Sequence, residues 1–268
     1  MLLWLYDLPA WLMGLLIVGC FTALSVAGLY ATRGFIKAIS GPREGHNQGV
    51  DAYIGAAAVF YGIVSGLIAV AAWEQFASYD DKVTQEAGAI ATLYRNVVTY
   101  PEPYGSTLTD ELRAYTRAVI DGWPLLQRGV VPPQPGTLLN TFQATFYSFE
   151  PKAERDKIIH ASAVDEFDRM LELRRLRLHD KDAGLPSSLW AVVILGVVLT
   201  VFLTYFLALE RFQLHVAMTI LSSILVSLLI FMIAAVDHPF RGEVSIGPDA
   251  FQLVYDQLES ERFTTRRP

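Results

Sequence analysis

Residues 52–74 read AYIGAAAVFYGIVSGLIAVAAWE, and no charge appears until the last of them, Glu74. A bilayer core about 30 Å thick needs roughly 20 helical residues at about 1.5 Å each, so this run is long enough to cross one. Three further uncharged runs match it, at 8–32, 183–209 and 212–236. Four such runs in 268 residues mark an integral membrane protein. The expected fold is an all-α membrane protein with four transmembrane helices in a 2+2 arrangement. A helical extramembrane insert separates spans 2 and 3.

The boundaries follow from the charges. Residues 1–73 form a first transmembrane pair, with spans at about 9–30 and 53–73. Residues 74–186 are the insert, 187–236 a hairpin with spans at about 187–209 and 213–236, and 237–268 a turn, short helix and tail. The insert carries 17 acids against 13 bases, a mixed-sign solvated surface and not a nucleic-acid footprint. The lone cysteine, Cys20, excludes an internal disulfide and a cysteine metal cluster. Leu16 to Cys20 faintly resembles a lipoprotein cleavage site. The apolar run continues ten residues beyond, with no basic flank before it, so a retained helix is expected.

The insert shows helical periodicity and no strand alternation. Val83, Ala87, Ile90, Tyr94 and Val97 continue span 2 into it, and Pro101 and Pro103 end that helix. Thr107 and Asp110 have capping-box spacing ahead of Leu112, Tyr115, Val119 and Trp123. Pro132 to Gly136 reads as a stiff linker, and Leu138 to Phe149 as a shorter helix. Pro151 suits the first turn of a last helix, which reaches Leu178. On this reading the insert extends the membrane bundle and is not a separate globular domain. Gly41-Pro42 and Gly45-His46-Asn47 break any helix before span 2, and Glu210 to Gln213 is the tight link between spans 3 and 4.

No HExxH, GxSxG, GxxxxGK[ST] or glycine-rich dinucleotide loop occurs. The five histidines are far apart, so neither a metal, a cofactor nor an enzymatic activity is expected. Small residues carry more information. Gly19, Ala23, Ala27 and Ala31 recur in span 1, and Gly55, Gly62 and Gly66 in span 2. Such positions let helices approach closely in lipid, within one chain or between copies. Span 2 also presents Phe60, Val64 and Ile68 at intervals of four, which would form an apolar constriction if they faced a symmetry axis.

Polar groups cluster at the membrane boundary: Asn47, Glu74, Glu86, Asp237 and His238, with Pro239, Phe240 and Gly242. Asp237 is expected to accept backbone N–H bonds in the turn made by Pro239 and Gly242. An ion-coordinating or pH-sensing role with His238 is the alternative. Glu86 is placed to pair with Arg113 or Arg177.

Several short stretches together resemble one family. They are His46-Asn47-Gln48-Gly49, Ala72-Trp73-Glu74, Gln85-Glu86-Ala87 with Leu93-Tyr94, Leu112-Arg113-Ala114-Tyr115 with Trp123, and Arg174 to Leu178. Leu185-Pro186 with Trp190, and Asp237-His238-Pro239-Phe240-Arg241-Gly242 with Val244 and Pro248, complete the pattern. In order and spacing they resemble the bestrophin-like family of multi-pass membrane proteins. The resemblance implies a distant likeness to bestrophins, homo-pentameric anion channels with a hydrophobic neck on the second span. It also implies a cytosolic insert. The acidic calcium-clasp run of animal bestrophins is not present, so calcium gating is not implied.

The resulting expectation is a homo-oligomeric ion channel of the cell (inner) membrane, anions favoured, with span 2 lining the pore. Its partners would be the lipid bilayer, further copies of itself and small inorganic ions, with no nucleic acid. A non-conducting sensor or scaffold, binding a partner through the insert, is the alternative. Both termini and the insert share one side. Basic residues flank the spans on both sides, and their balance leans to an outside insert, against the resemblance.

Overall fold

A computed structural model describes residues 3–39, 46–180, 184–207, 209 and 211–265. A short 3₁₀ turn, Leu3–Asp7, precedes α1 (Ala10–Ile39) and α2 (His46–Val97). α3 (Tyr104–Leu126), α4 (Pro133–Tyr147) and α5 (Glu154–His179) follow, then α6 (Ser187–Thr204), α7 (Phe212–Asp237) and α8 (Asp249–Thr265). No strand occurs among the described residues. Four helices, α1, α2, α6 and α7, are long and apolar enough to cross a membrane.

The chain forms two compact units. The first comprises Met1–Phe76, Gly184–His238 and Gly242–Val244. In it α7 packs along α1 and α6. Tyr61, Ile68 and Ala72 of α2 meet Val193 and Val197 of α6 and Ile230 and Ile233 of α7 in one core. A second cluster joins Leu29 and Ile36 to Val201 and Tyr205. Lipid supplies little hydrophobic drive between helices, so close packing and hydrogen bonds hold such a bundle. The Tyr61 hydroxyl donates to the Val193 carbonyl at 3.2 Å, and that of Tyr205 to the Ser25 carbonyl at 2.6 Å. A Cβ on Gly196 would stand 2.4 Å from the Tyr61 ring, so only glycine admits this approach.

The second unit comprises Ala77–Ala183, Pro239–Arg241 and Ser245–Pro268. It has an aromatic core of its own, with Tyr94, Tyr115, Trp123, Phe142, Phe146, Phe167 and Phe251 fully buried. α8 packs on α3 through this core, and the Trp123 indole N–H donates to the Ile246 carbonyl at 2.9 Å. The insert therefore does not merely extend the bundle; it closes a core that α8 helps to complete.

Local signals fail where proline is involved. α3 begins at Tyr104, so Thr107 lies inside it and donates to the Pro103 carbonyl instead of capping. α3 also runs through Pro124. The expected Pro132–Gly136 linker is largely the first turn of α4, because proline lacks only an N–H that the first turn leaves unbonded anyway. Pro151 precedes α5, whose N-cap is Ala153. His46 and Asn47 are already helical in α2, while Gly41, Pro42 and Gly45 lie outside the described residues. α6 ends at Thr204, so the link to α7 is longer than the sequence suggests.

Candidate functional site

α2 is 52 residues long, more than twice what a bilayer requires. Its portion in the first unit has two faces. Tyr61, Ser65, Ile68, Ala69 and Ala72 point into the bundle. Phe60, Ile63, Leu67 and Val70 are exposed, and Glu74 continues the same face. The proposed constriction row does not stay together. Phe60 is 72% exposed, Val64 is half-buried against the core and Ile68 is only 7% exposed. A step of four overshoots the helical turn by about 40°, so two steps carry the row about 80° into the bundle. Alternating steps of three and four keep to the outer face.

The glycines of α2 lie away from the bundle. A Cβ added to Gly55, Gly62 or Gly66 would meet nothing within 4 Å. Among the described residues they pack no other helix, and the same holds for Gly19 on α1. Close approach within the chain uses Gly196 of α6 and Gly28 of α1, where a Cβ would stand 2.8 Å from the Tyr205 hydroxyl.

Asp237 ends α7 in the first unit, with its side chain wholly buried. Its carboxylate accepts from the backbone N–H of Leu185 at 2.6 Å, the Trp190 indole at 3.1 Å and the Tyr6 hydroxyl at 3.4 Å. This backbone donor lies ahead of α6. One side chain ties the 3₁₀ turn, the start of α6 and the end of α7. Burial and the neighbouring carboxylate push the Tyr6 hydroxyl up, so it stays a donor. His238 Nε2 lies 3.7 Å from Asp237, and its ring stands edge-on to Tyr6. Gly242 adopts φ 85°, and a Cβ there would approach the Tyr6 carbonyl to 3.1 Å.

In the second unit, Glu86 is 0% exposed and pairs with Arg177, not Arg113. The guanidinium donates from Nε at 2.7 Å and Nη2 at 2.9 Å, a two-pronged bond. The Tyr115 hydroxyl reaches Glu86 at 3.4 Å, while Trp123 and Phe251 flank Arg177. Burial pulls the Arg177 guanidinium down and Glu86 more than restores it, so the charge is held. Arg113 instead pairs with Asp110 and donates to the Tyr94 hydroxyl. Pro239 accepts from the Ile246 N–H at 2.8 Å, and Phe240 is buried beside Tyr79 and Trp123. Asn47 stands in the first turn of α2, and its side chain lies outside those described. Among the described residues no group of histidine, cysteine, aspartate or glutamate is arranged to hold a metal.

A family model of the bestrophin-like domain matches residues 7–251. The chain belongs to the bestrophin-like family. This multi-pass membrane protein also has the fold of solved structures. One is a point variant of a bacterial bestrophin homologue from Klebsiella pneumoniae, 11% identical, with a TM-score of 0.65 over 93% of this chain and 98% of that one. A second variant of that homologue is 12% identical, with a TM-score of 0.62 over 92% and 98%. A structure described as a membrane protein is 11% identical, with a TM-score of 0.61 over 96% and 99%. No curated protein matches the sequence.

Proposed function

We propose that this bestrophin-like protein is a homo-oligomeric ion channel whose pore is lined by α2. The observation that carries the proposal is the outer face of that helix. Phe60, Ile63, Leu67 and Val70 form an exposed apolar row, flanked by glycines with open space above them. Copies of α2 brought around an axis would approach closely over the glycines and present that row to the path. An apolar ring narrows and dewets a pore, which is one way a channel is gated. Of the three constriction residues expected from spacing, Phe60 keeps the role, and Ile63 and Leu67 replace Val64 and Ile68.

The test is ion flux from proteoliposomes, with the particle's oligomeric state measured in detergent. An oligomer that conducts, and conducts faster with Phe60→Ala, is the expected result. A strict monomer, or no flux under any ion gradient, would refute conduction. With a fixed protein partner co-purifying, that outcome points to a scaffold.

A further inference from the structure

We infer that the turn between α3 and α4 docks on the bilayer surface, with its exposed aliphatic side chains at the headgroup boundary and Arg128 on an anionic lipid phosphate. The inference holds whether or not α2 lines a pore.

α3 runs back along the extramembrane part of α2. Arg113 of α3 donates to the Tyr94 hydroxyl, the Tyr115 hydroxyl reaches Glu86, and Phe240 stands between Trp123 and Tyr79. Residue numbers rise along α3 as they fall along α2, so the end of α3 returns to the start of the insert. Tyr79 is five residues beyond Glu74, which closes the uncharged run of α2. That is a rise of about 8 Å, and the step from Trp123 to Leu126 brings α3 about 5 Å nearer still. A second tether agrees. The Arg241 guanidinium donates to the Arg128 carbonyl at 3.4 Å. Arg241 is four residues past Asp237, the last residue of the membrane helix α7. The bilayer is therefore the surface within reach of this turn.

The chemistry of the turn suits that surface. Gly129, at φ 79°, ends α3, and the Val130 N–H donates back to the Leu125 carbonyl at 3.0 Å. Leu125, Val130 and Val131 are thereby gathered at one place, 44%, 54% and 41% exposed. From Gly122 to Phe149 the only charged residue is Arg128. Its side chain is exposed and makes no hydrogen bond or ion pair among the described residues. Half-buried Arg174, which lines a small cavity with Val131 and Pro132, likewise has no ion pair among them. Asp121, the acid just before this stretch, is paired with Arg117. Aliphatic side chains beside cations gain at an anionic bilayer surface, where the former enter the headgroup boundary. One arginine there is worth about fivefold in binding.

The test uses the full-length protein with Cys20→Ser, in vesicles of phosphatidylcholine and phosphatidylglycerol. Val130→Cys carries an environment-sensitive fluorophore, and Leu125→Cys is a second labelling site. Thr99→Cys, exposed and past the far end of α2, is the reference. Lipids bearing a shallow nitroxide should quench the Val130 and Leu125 labels at least about threefold more than the Thr99 label. Arg128→Glu should lower that quenching. Unchanged size-exclusion profiles verify that the variants fold. Lipid quenching no stronger than at Thr99, with aqueous iodide reaching the labels, places the turn in water and overturns the inference. Shielding from both quenchers overturns it too, and points to a second copy or another protein on the turn. Lipid quenching that Arg128→Glu leaves unmoved overturns the phosphate contact.

Discussion

Neutralising Glu86 should unfold the second unit at a markedly lower temperature. The carboxylate is 0% exposed and the Arg177 guanidinium 5%, with two hydrogen bonds at 2.7 and 2.9 Å between them. Glu86→Gln keeps the shape and one acceptor but leaves a buried guanidinium between Trp123 and Phe251 without its counter-charge. Removing one partner of such a pair costs about 3–5 kcal/mol, because the survivor is buried unpaired. At about 2–4 °C per kcal/mol, the apparent Tm should fall by roughly 10 °C. Arg177→Lys should not rescue it, since an ammonium cannot reproduce the two-pronged donor. The double variant Glu86→Leu with Arg177→Met removes both charges and should recover most of the loss. Thermal unfolding in detergent, followed by circular dichroism, measures all four proteins. A Glu86→Gln loss below about 1 kcal/mol, or a double variant no more stable than Glu86→Gln, would show that the buried pair does not hold the unit together.

Gly242→Ala forces a Cβ onto a backbone at φ 85° and to 3.1 Å from the Tyr6 carbonyl. It should cost about 1–2 kcal/mol, seen as a lower Tm. His160 is held below its ordinary pKa by burial, with its Nδ1 2.7 Å from the Tyr100 hydroxyl. The folded protein therefore favours the neutral ring. That contribution is intact above the unfolded value of about 6.5 and is lost as pH falls through it towards the lower folded value. The wild type should lose more Tm than His160→Gln between pH 7.5 and pH 5.5.

The four membrane helices were legible in the sequence because the requirement is local. An uncharged run long enough for the bilayer excludes most alternatives, and no tertiary information is needed to see it. The continuation of span 2 into the insert was legible for the same reason, through Val83, Ala87, Ile90 and Tyr94 at helical spacing. Partner choice was not legible. Glu86 and Arg177 are 91 residues apart, and Arg113 is an equally good cation until the fold places it beside Asp110 and Tyr94. Asp237 likewise takes donors from Tyr6, Leu185 and Trp190, at separations of 231, 52 and 47 residues. The role of α8 in closing the aromatic core depends on contacts between α3 and α8, which no short-range pattern announces.

The face of α2 shows the division most plainly. Its composition fixed that it spans the membrane and that its only charges before Lys82 are acidic. Which residues look outward was decided by α6 and α7, which take Tyr61, Ile68 and Ala72 into their core and leave Phe60, Ile63, Leu67, Val70 and Glu74 uncovered. An apolar helix carries no polar stripe to set its own rotation, so packing against its neighbours sets it.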